Sequence, residues 1–238
     1  MADWNRDDRL PRSMTARMAL VTNDDGVESA GLRHLALAAL QQGLRIVVAA
    51  PLEEASGSSA ALTSVQHDGR IEMERRTIPG LEDVDVFALP AAPAFITLLA
   101  HRGAFGEPPA VVLSGINRGA NTGSLILHSG TVGAALTAAS EGCRSLAVSL
   151  CSRSPRHWET AQAVAARVIP LLEELPDGVA LSVNVPDVAE PDLRPLLTAT
   201  LAAGGAVQTA VAEVGDDYLR LGTLRDDRTL DAASDVAL

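Results

Sequence analysis

Two adjacent carboxylates, Asp24 and Asp25, stand inside Thr22-Asn23-Asp24-Asp25-Gly26. Side by side they repel each other unless a cation or a shared proton offsets the charge. A metal site is the simplest chemistry for such a pair. Three further segments carry oxygen donors: Ser56-Gly57-Ser58-Ser59, Ser114-Gly115-Ile116-Asn117 and Ser129-Gly130-Thr131. Carboxylate, hydroxyl and amide oxygens make a hard coordination set, suited to magnesium, manganese or calcium rather than zinc. The five histidines show no paired ligand spacing, and the two cysteines are badly placed for zinc. Taken singly, each segment has a plain alternative: Asp-Asp-Gly as a turn, the serine-rich stretch as a loop, Ser129 as a helix cap. The metal reading rests on their meeting in one place.

That meeting place follows from the elements. Arg17 to Val21 is a short apolar run that predicts the first strand of a parallel sheet. From Leu32 to Leu40 the apolar spacing becomes helical, so the aspartates lie in a strand-to-helix turn, where open α/β sheets bind ligands. A helix over Ala30 to Gln42, strands over Leu44 to Ala49 and Val86 to Leu89, and a helix over Pro93 to His101 follow. Ser64 to Asp85 reads as an irregular excursion with short antiparallel strands. Ala110 to Leu113 is a buried strand and Ser114 to Ser129 a glycine-rich loop. A helix over Gly130 to Glu141, a strand over Leu146 to Leu150, a helix over His157 to Leu175 and a strand over Val179 to Val185 complete the pattern. The alternation predicts an α/β fold: a Rossmann-like, mostly parallel sheet with helices on both faces. Residues 17–186 form the core, and residues 187–238 read as a C-terminal arm.

A helix starting at Gly130 presents backbone N–H groups and a positive dipole end, a place for a phosphate, with Ser129 as its cap. Gly115, Gly119 and Gly123 would let the backbone come close to it. Rival motifs fail. No lysine follows Gly119 to Ser124 as a P-loop requires, and the first strand turn lacks Gly-x-Gly-x-x-Gly. No Gly-x-Ser-x-Gly elbow occurs.

Composition narrows the partners. The chain has 238 residues and a net charge of −11, which disfavours a nucleic-acid polymer. No run of about 18 apolar residues exists, so no membrane partner is expected. Met1 to Ala16 is polar and reads as a flexible leader. Cys143 and Cys151 flank a strand that separates them by roughly 25 Å, whereas a disulfide needs Cα atoms within about 7 Å. They should not pair, and the cytoplasm is the expected compartment.

Several stretches together resemble the SurE survival-protein family of nucleotidases. They are Thr22 to Val27, Val48-Ala49-Ala50-Pro51 with Ser56-Gly57, Ser114 to Asn121, and Ser129 to Ala135. Ala147 to Leu150 and Val183-Asn184-Val185-Pro186 continue the likeness in order. The resemblance implies a metal-dependent phosphomonoesterase acting on nucleoside 5′- and 3′-monophosphates. It also implies one divalent ion per subunit, magnesium or manganese, with calcium as a substitute in crystals. The assembly implied is a homodimer with exchanged C-terminal arms, or a tetramer built from it. The metal ligands implied are Asp24, Asp25, Ser56 and Asn117, the oxygen donors already singled out.

The candidate site follows. Asp24, Asp25, Asn117 and Ser129 are the catalytic candidates. Asn23, Gly57, Gly115, Asn121, Ser129, Gly130 and Thr131 are expected to hold the phosphate or the rest of the substrate. A cation there would bind a phosphate oxygen and lower the pKa of a water, while Asn117 and Ser129 stabilise phosphoryl charge. Asp24 could orient that water, or an aspartate could attack phosphorus directly. Where the family carries Gly-Thr-Pro-(small)-Asp-Cys, this chain reads Pro90-Ala91-Ala92-Pro93-Ala94-Phe95. That stretch is expected to form an apolar substrate wall with weak discrimination among leaving groups. His128 replaces a family tyrosine, and Ser234-Asp235 resembles a family Thr-Asp. Two other readings stay open: a non-catalytic binder of a metal and a phosphate ligand, and a phosphatase for a non-nucleotide metabolite.

Overall fold

A computed structural model describes residues 17–202, 207–215, 218–225 and 233–235. The proposed leader, 1–16, lies outside them. The apolar run after Arg17 forms β1 (Met18–Thr22), and helical spacing then gives α1 (Ala30–Gln41), capped by the Ser29 hydroxyl. The chain continues through β2 (Arg45–Pro51), β3 (Glu74–Arg76), β4 (Val86–Leu89), α2 (Pro93–His101), β5 (Val111–Arg118), α3 (Gly130–Ser140), β6 (Arg144–Leu150), α4 (Trp158–Val168) and β7 (Ala180–Val185). These strands make a seven-stranded sheet in the order β3-β4-β2-β1-β5-β6-β7, parallel except for β3 at one edge.

Each central strand is apolar on both sides, so both faces are covered. Ala19 and Val21 face one layer with Val48, Leu113 and Val148, under α1 and α4. Leu20 faces the other with Val47, Ala49 and Val112, under α2 and α3. Burying a leucine such as Leu20 contributes about 2 kcal/mol.

β1 occupies the centre. From it the chain winds outward through β2 and β4 on one side, then returns to β5 and winds outward through β6 and β7 on the other. The crevice between the carboxyl ends of β1 and β5 is therefore the topological switch point, the favoured ligand position in such sheets. Thr22, the residue before Asn23, pairs in register with Ser114.

Three elements differ from the sequence expectation. β5 does not stop at Leu113 but runs to Arg118, through a register shift against β6 between Gly115 and Asn117. Gly115 has φ 125°, and a Cβ there would stand 2.3 Å from the Val148 carbonyl oxygen. A bulge of this kind re-aims the side chains that follow it. Helix α4 ends at Val168, and a 3₁₀ turn (Ile169–Glu174) replaces its last turns, because Pro170 cannot donate to the α-helical ladder. The C-terminal stretch, read as an extended arm, contains an antiparallel hairpin of β8 (Val207–Val214) and β9 (Leu219–Arg225), outside the main sheet. Beyond it the chain returns: Thr200 bridges Ser234, and Asp235 accepts bonds from the Gly123 and Ala202 amides.

Candidate functional site

Asp24 follows β1 and is 4% exposed. Its backbone carbonyl accepts from Ala55 N at 2.7 Å, which fastens the aspartate turn to the loop after β2. Its carboxylate meets α3: Thr131 N donates to Oδ2 at 3.0 Å and Thr131 Oγ1 to Oδ1 at 2.5 Å. Burial pushes the Asp24 carboxyl above its ordinary value; the Thr131 hydroxyl pulls it back and the Asp25 charge pushes it up again. The net direction is upward.

Asp25 points to the other wall of the crevice. Arg118, the last residue of β5, donates its amide to Asp25 Oδ2 at 3.0 Å and its Nε to Oδ1 at 3.2 Å. The Asp25 side chain is only 3% exposed, so this guanidinium supplies the compensating positive charge that paired carboxylates need. The pairing raises the Arg118 pKa further above its usual value. Sequence reasoning missed Arg118. The signal was available, because it is the first cation after the β5 glycine and a buried carboxylate pair calls for one.

The remaining candidates fall around these two. Ser56 is exposed, and its hydroxyl donates to Glu54 Oε1 at 2.7 Å. Asn117 donates its side-chain nitrogen to Gly119 O at 2.8 Å, so Oδ1 is the amide atom able to ligate a cation. Asn23 spends its nitrogen on Gly26 O and Ser29 Oγ, while its buried Oδ1 has no partner. Gly57 lies in the exposed loop with φ 79°. Gly115 sits in the β5 bulge, and Asn121 ties strand ends together through Ser149 Oγ and the Asn184 side chain.

The start of α3 is already engaged by the protein itself. Ser129 Oγ accepts from Val132 N at 3.0 Å, as a cap should, which leaves its hydrogen free to be donated elsewhere. Thr131, expected among the phosphate donors, gives both its donors to Asp24. The anion at this helix start is thus a protein carboxylate, for which the dipole is equally suited. Gly130 is required here by close approach. A Cβ would lie 2.6 Å from Ser58 Oγ and 2.7 to 2.8 Å from Asp24 side-chain atoms. Ser58 Oγ itself is buried without a partner.

The apolar wall is not where the sequence suggested. Ala91, Ala92 and Ala94 are buried, beneath a segment in which Val65 N bonds Pro90 O and Ala92 N bonds Thr63 O. Ala94, fully buried, presents no surface of its own to a substrate. The small side chains serve packing under Thr63 to Val65 instead.

Two neighbouring carboxylates at the switch point, the Ser56 hydroxyl linked to Asp25 through Glu54 and Arg118, and the Asn117 amide beside Arg118 offer oxygen donors only. Unpartnered buried oxygens on Asn23 and Ser58 add to the polarity. These residues fit a hard divalent cation. Among the described residues, no cluster of three or more His, Cys, Asp or Glu forms an alternative metal centre.

A family model described as Survival protein SurE matches residues 19–205. The chain belongs to the SurE family. A relative named 5′-nucleotidase SurE from Synechococcus sp. (strain JA-3-3Ab) is 37% identical over 77% of this chain and 71% of its own length. Another of the same name from Stenotrophomonas maltophilia (strain R551-3) is 38% identical over 71% of this chain and 63% of its own length, just under two thirds. The crystal structure of a SurE protein from Aquifex aeolicus superposes with a TM-score of 0.76 at 27% identity, covering 92% of this chain and 87% of that one. The SurE match takes in β2 to β7 and all but the first residue of β1, and stops before β8. Every candidate site residue lies within it.

Proposed function

We propose that this SurE-family chain is a hydrolase, a nucleotidase-type phosphatase that cleaves nucleoside 5′- and 3′-monophosphates with one divalent cation, magnesium or manganese. The observation that carries the reading is the paired fixing of two adjacent aspartates at the β1–β5 switch point, Asp24 by Thr131 and Asp25 by Arg118. The names of its relatives, 5′-nucleotidase SurE, support the reaction class.

Asp24, Asp25, Ser56 and Asn117 would hold the cation. When bound, it supplies Lewis-acid charge to a phosphoryl oxygen. The chain's own residues do the rest. Thr131 and Arg118 keep both carboxylates in fixed orientations, so no reorganisation is needed as charge develops. The Ser129 hydroxyl, accepting from Val132 N through one lone pair, keeps its hydrogen available for a phosphoryl oxygen. Each carboxylate accepts two hydrogen bonds, which makes it a poor nucleophile and favours water as the attacking group. The buried Ala91 to Ala94 stretch removes one element of leaving-group selection, which supports broad tolerance, non-nucleotide phosphomonoesters included. A homodimer using the C-terminal arm, with residues 17–186 as the core, and a cytoplasmic location belong to the same reading. No helix among the described residues is long and apolar enough to cross a membrane.

Hydrolysis of p-nitrophenyl phosphate and of nucleoside 5′- and 3′-monophosphates, with and without manganese, tests it. Turnover should require the added cation and vanish in Asp25→Asn. Metal-independent turnover, or near-normal turnover in that variant, would overturn the reading.

A further inference from the structure

Glu54 lies outside the four oxygen donors, yet it touches two of the groups that control them. Its Oε1 accepts the Ser56 hydroxyl hydrogen at 2.7 Å, and its Oε2 accepts Arg118 Nη2 at 3.2 Å. Arg118 in turn holds Asp25 through Nε and its amide. The loop is anchored between Glu54 and Ser56, because Ala55 N donates to the Asp24 carbonyl. Ser56, Glu54, Arg118 and Asp25 therefore form one chain of hydrogen bonds.

We infer that Glu54 is a positioning residue for the cation site, fixing the Ser56 hydroxyl and sharing the Arg118 guanidinium with Asp25. A serine hydroxyl has one hydrogen and two lone pairs. It can offer a lone pair to a cation only if its hydrogen points elsewhere, and Glu54 is the acceptor that takes it. By engaging Nη2, Glu54 also holds the guanidinium between two carboxylates, so that its charge does not rest on Asp25 alone. The ion pair itself is weak, because the Glu54 and Arg118 side chains are 55% and 44% exposed. Direction, not pair energy, is what Glu54 supplies. Partners that orient metal ligands typically change affinity about 10- to 100-fold when removed.

This inference rests on the cation site proposed above, and the experiment separates the two. Manganese affinity is measured by isothermal titration calorimetry on wild type, Asp25→Asn, Glu54→Ala, Glu54→Gln, Ser56→Ala and the Glu54→Ala/Ser56→Ala double variant. Glu53→Ala, an exposed neighbour, controls for loss of negative charge in the loop. Circular dichroism on each confirms folding. The expected result is about a tenfold loss in Glu54→Ala, a smaller one in Glu54→Gln, which keeps an acceptor, and little change in Glu53→Ala. In the Ser56→Ala background the Glu54 substitution should cost clearly less, because its hydroxyl partner is gone. Wild-type affinity in Glu54→Ala, a loss matched by Glu53→Ala, or full additivity with Ser56→Ala would overturn the positioning role. If those results appear while wild type binds manganese and Asp25→Asn does not, the cation site stands and Glu54 alone is dismissed. If wild type binds no manganese, both fall.

Discussion

Thr131 meets Asp24 with both of its donors, the amide at 3.0 Å and the hydroxyl at 2.5 Å, so the carboxylate after β1 is also the anion at the start of α3. One contact thereby sets the orientation of a proposed ligand and locks a helix against the sheet edge. Replacing Thr131 by valine keeps the shape and the amide bond but deletes the hydroxyl. A buried carboxylate losing a donor should cost about 1 to 3 kcal/mol. Urea unfolding should show that loss, and phosphatase assays should show reduced kcat, with Thr131→Ser restoring both in part.

Gly130→Ala tests the close approach of helix and loop. Its Cβ would meet Ser58 Oγ and Asp24 within 3 Å, so either the helix start or the aspartate must shift. Activity should fall at least tenfold, equivalent to about 1.4 kcal/mol of transition-state stabilisation. Gly69→Ala, in an exposed turn with open space around it but at φ 73°, should strain only that turn and leave kcat unchanged. Equal effects from the two would show that the crowding is irrelevant.

Stability should depend on pH through Asp187, which follows β7 and accepts from the amides of Arg156 and His157 and from the His157 ring at the start of α4. Burial pushes this carboxyl up, but the hydrogen bonds from Arg156, His157 and Ser152 outweigh it and hold it below its ordinary value. A lowered folded-state value means that its contribution is complete above the unfolded-state value and lost as pH falls through the folded one. Asp187→Asn should therefore cost about 1 kcal/mol near neutral pH. Unfolding curves of the two proteins should converge below pH about 4. A gap that persists in acid would assign the effect to shape rather than charge.

The two cysteines should separate by reactivity. Cys143 is buried, with its Sγ donating to Pro109 O, whereas Cys151 is exposed, and both are free. Burial, with the Glu141 and Asp177 charges, raises the Cys143 thiol pKa and slows its labelling further. A thiol reagent in excess should modify one cysteine in the native protein and the second only after unfolding. Mass spectrometry of peptides identifies which one.

The sheet was legible because its strands are short apolar runs, such as Ala110 to Leu113, separated by helical spacing. The place of the candidates was legible in that Asp24 and Asp25 follow β1, Asn117 stands near the end of β5 and Ser129 caps α3, and topology brings such ends together; Ser56 lies farther out, in the loop after β2. What escaped were tertiary contacts that no local pattern encodes. Arg118 and Glu54 are ordinary surface residues by type, and only the fold places them on Asp25 and Ser56. The continuation of β5 was hidden by Gly115, which reads as a loop residue but serves a bulge. Pro90 to Ala94 was read as a wall because nothing in its composition shows that Thr63 to Val65 covers it. In the C-terminal stretch, Val207, Thr209 and Val211 alternate with other residues ahead of Gly215-Asp216-Asp217, a hairpin signal that could have been taken.

The bonds from the aspartate turn to Arg118 and Thr131 span 93 and 107 residues of chain. On a ribosome, β1 and its two negative charges emerge long before either counterpart exists. Until residue 118 is made, neither group that holds the two carboxylates in the folded chain exists. The crevice is completed only once α3 has been added, and a nascent chain cut before Thr131 carries every strand up to β5 yet lacks the partner that orients Asp24.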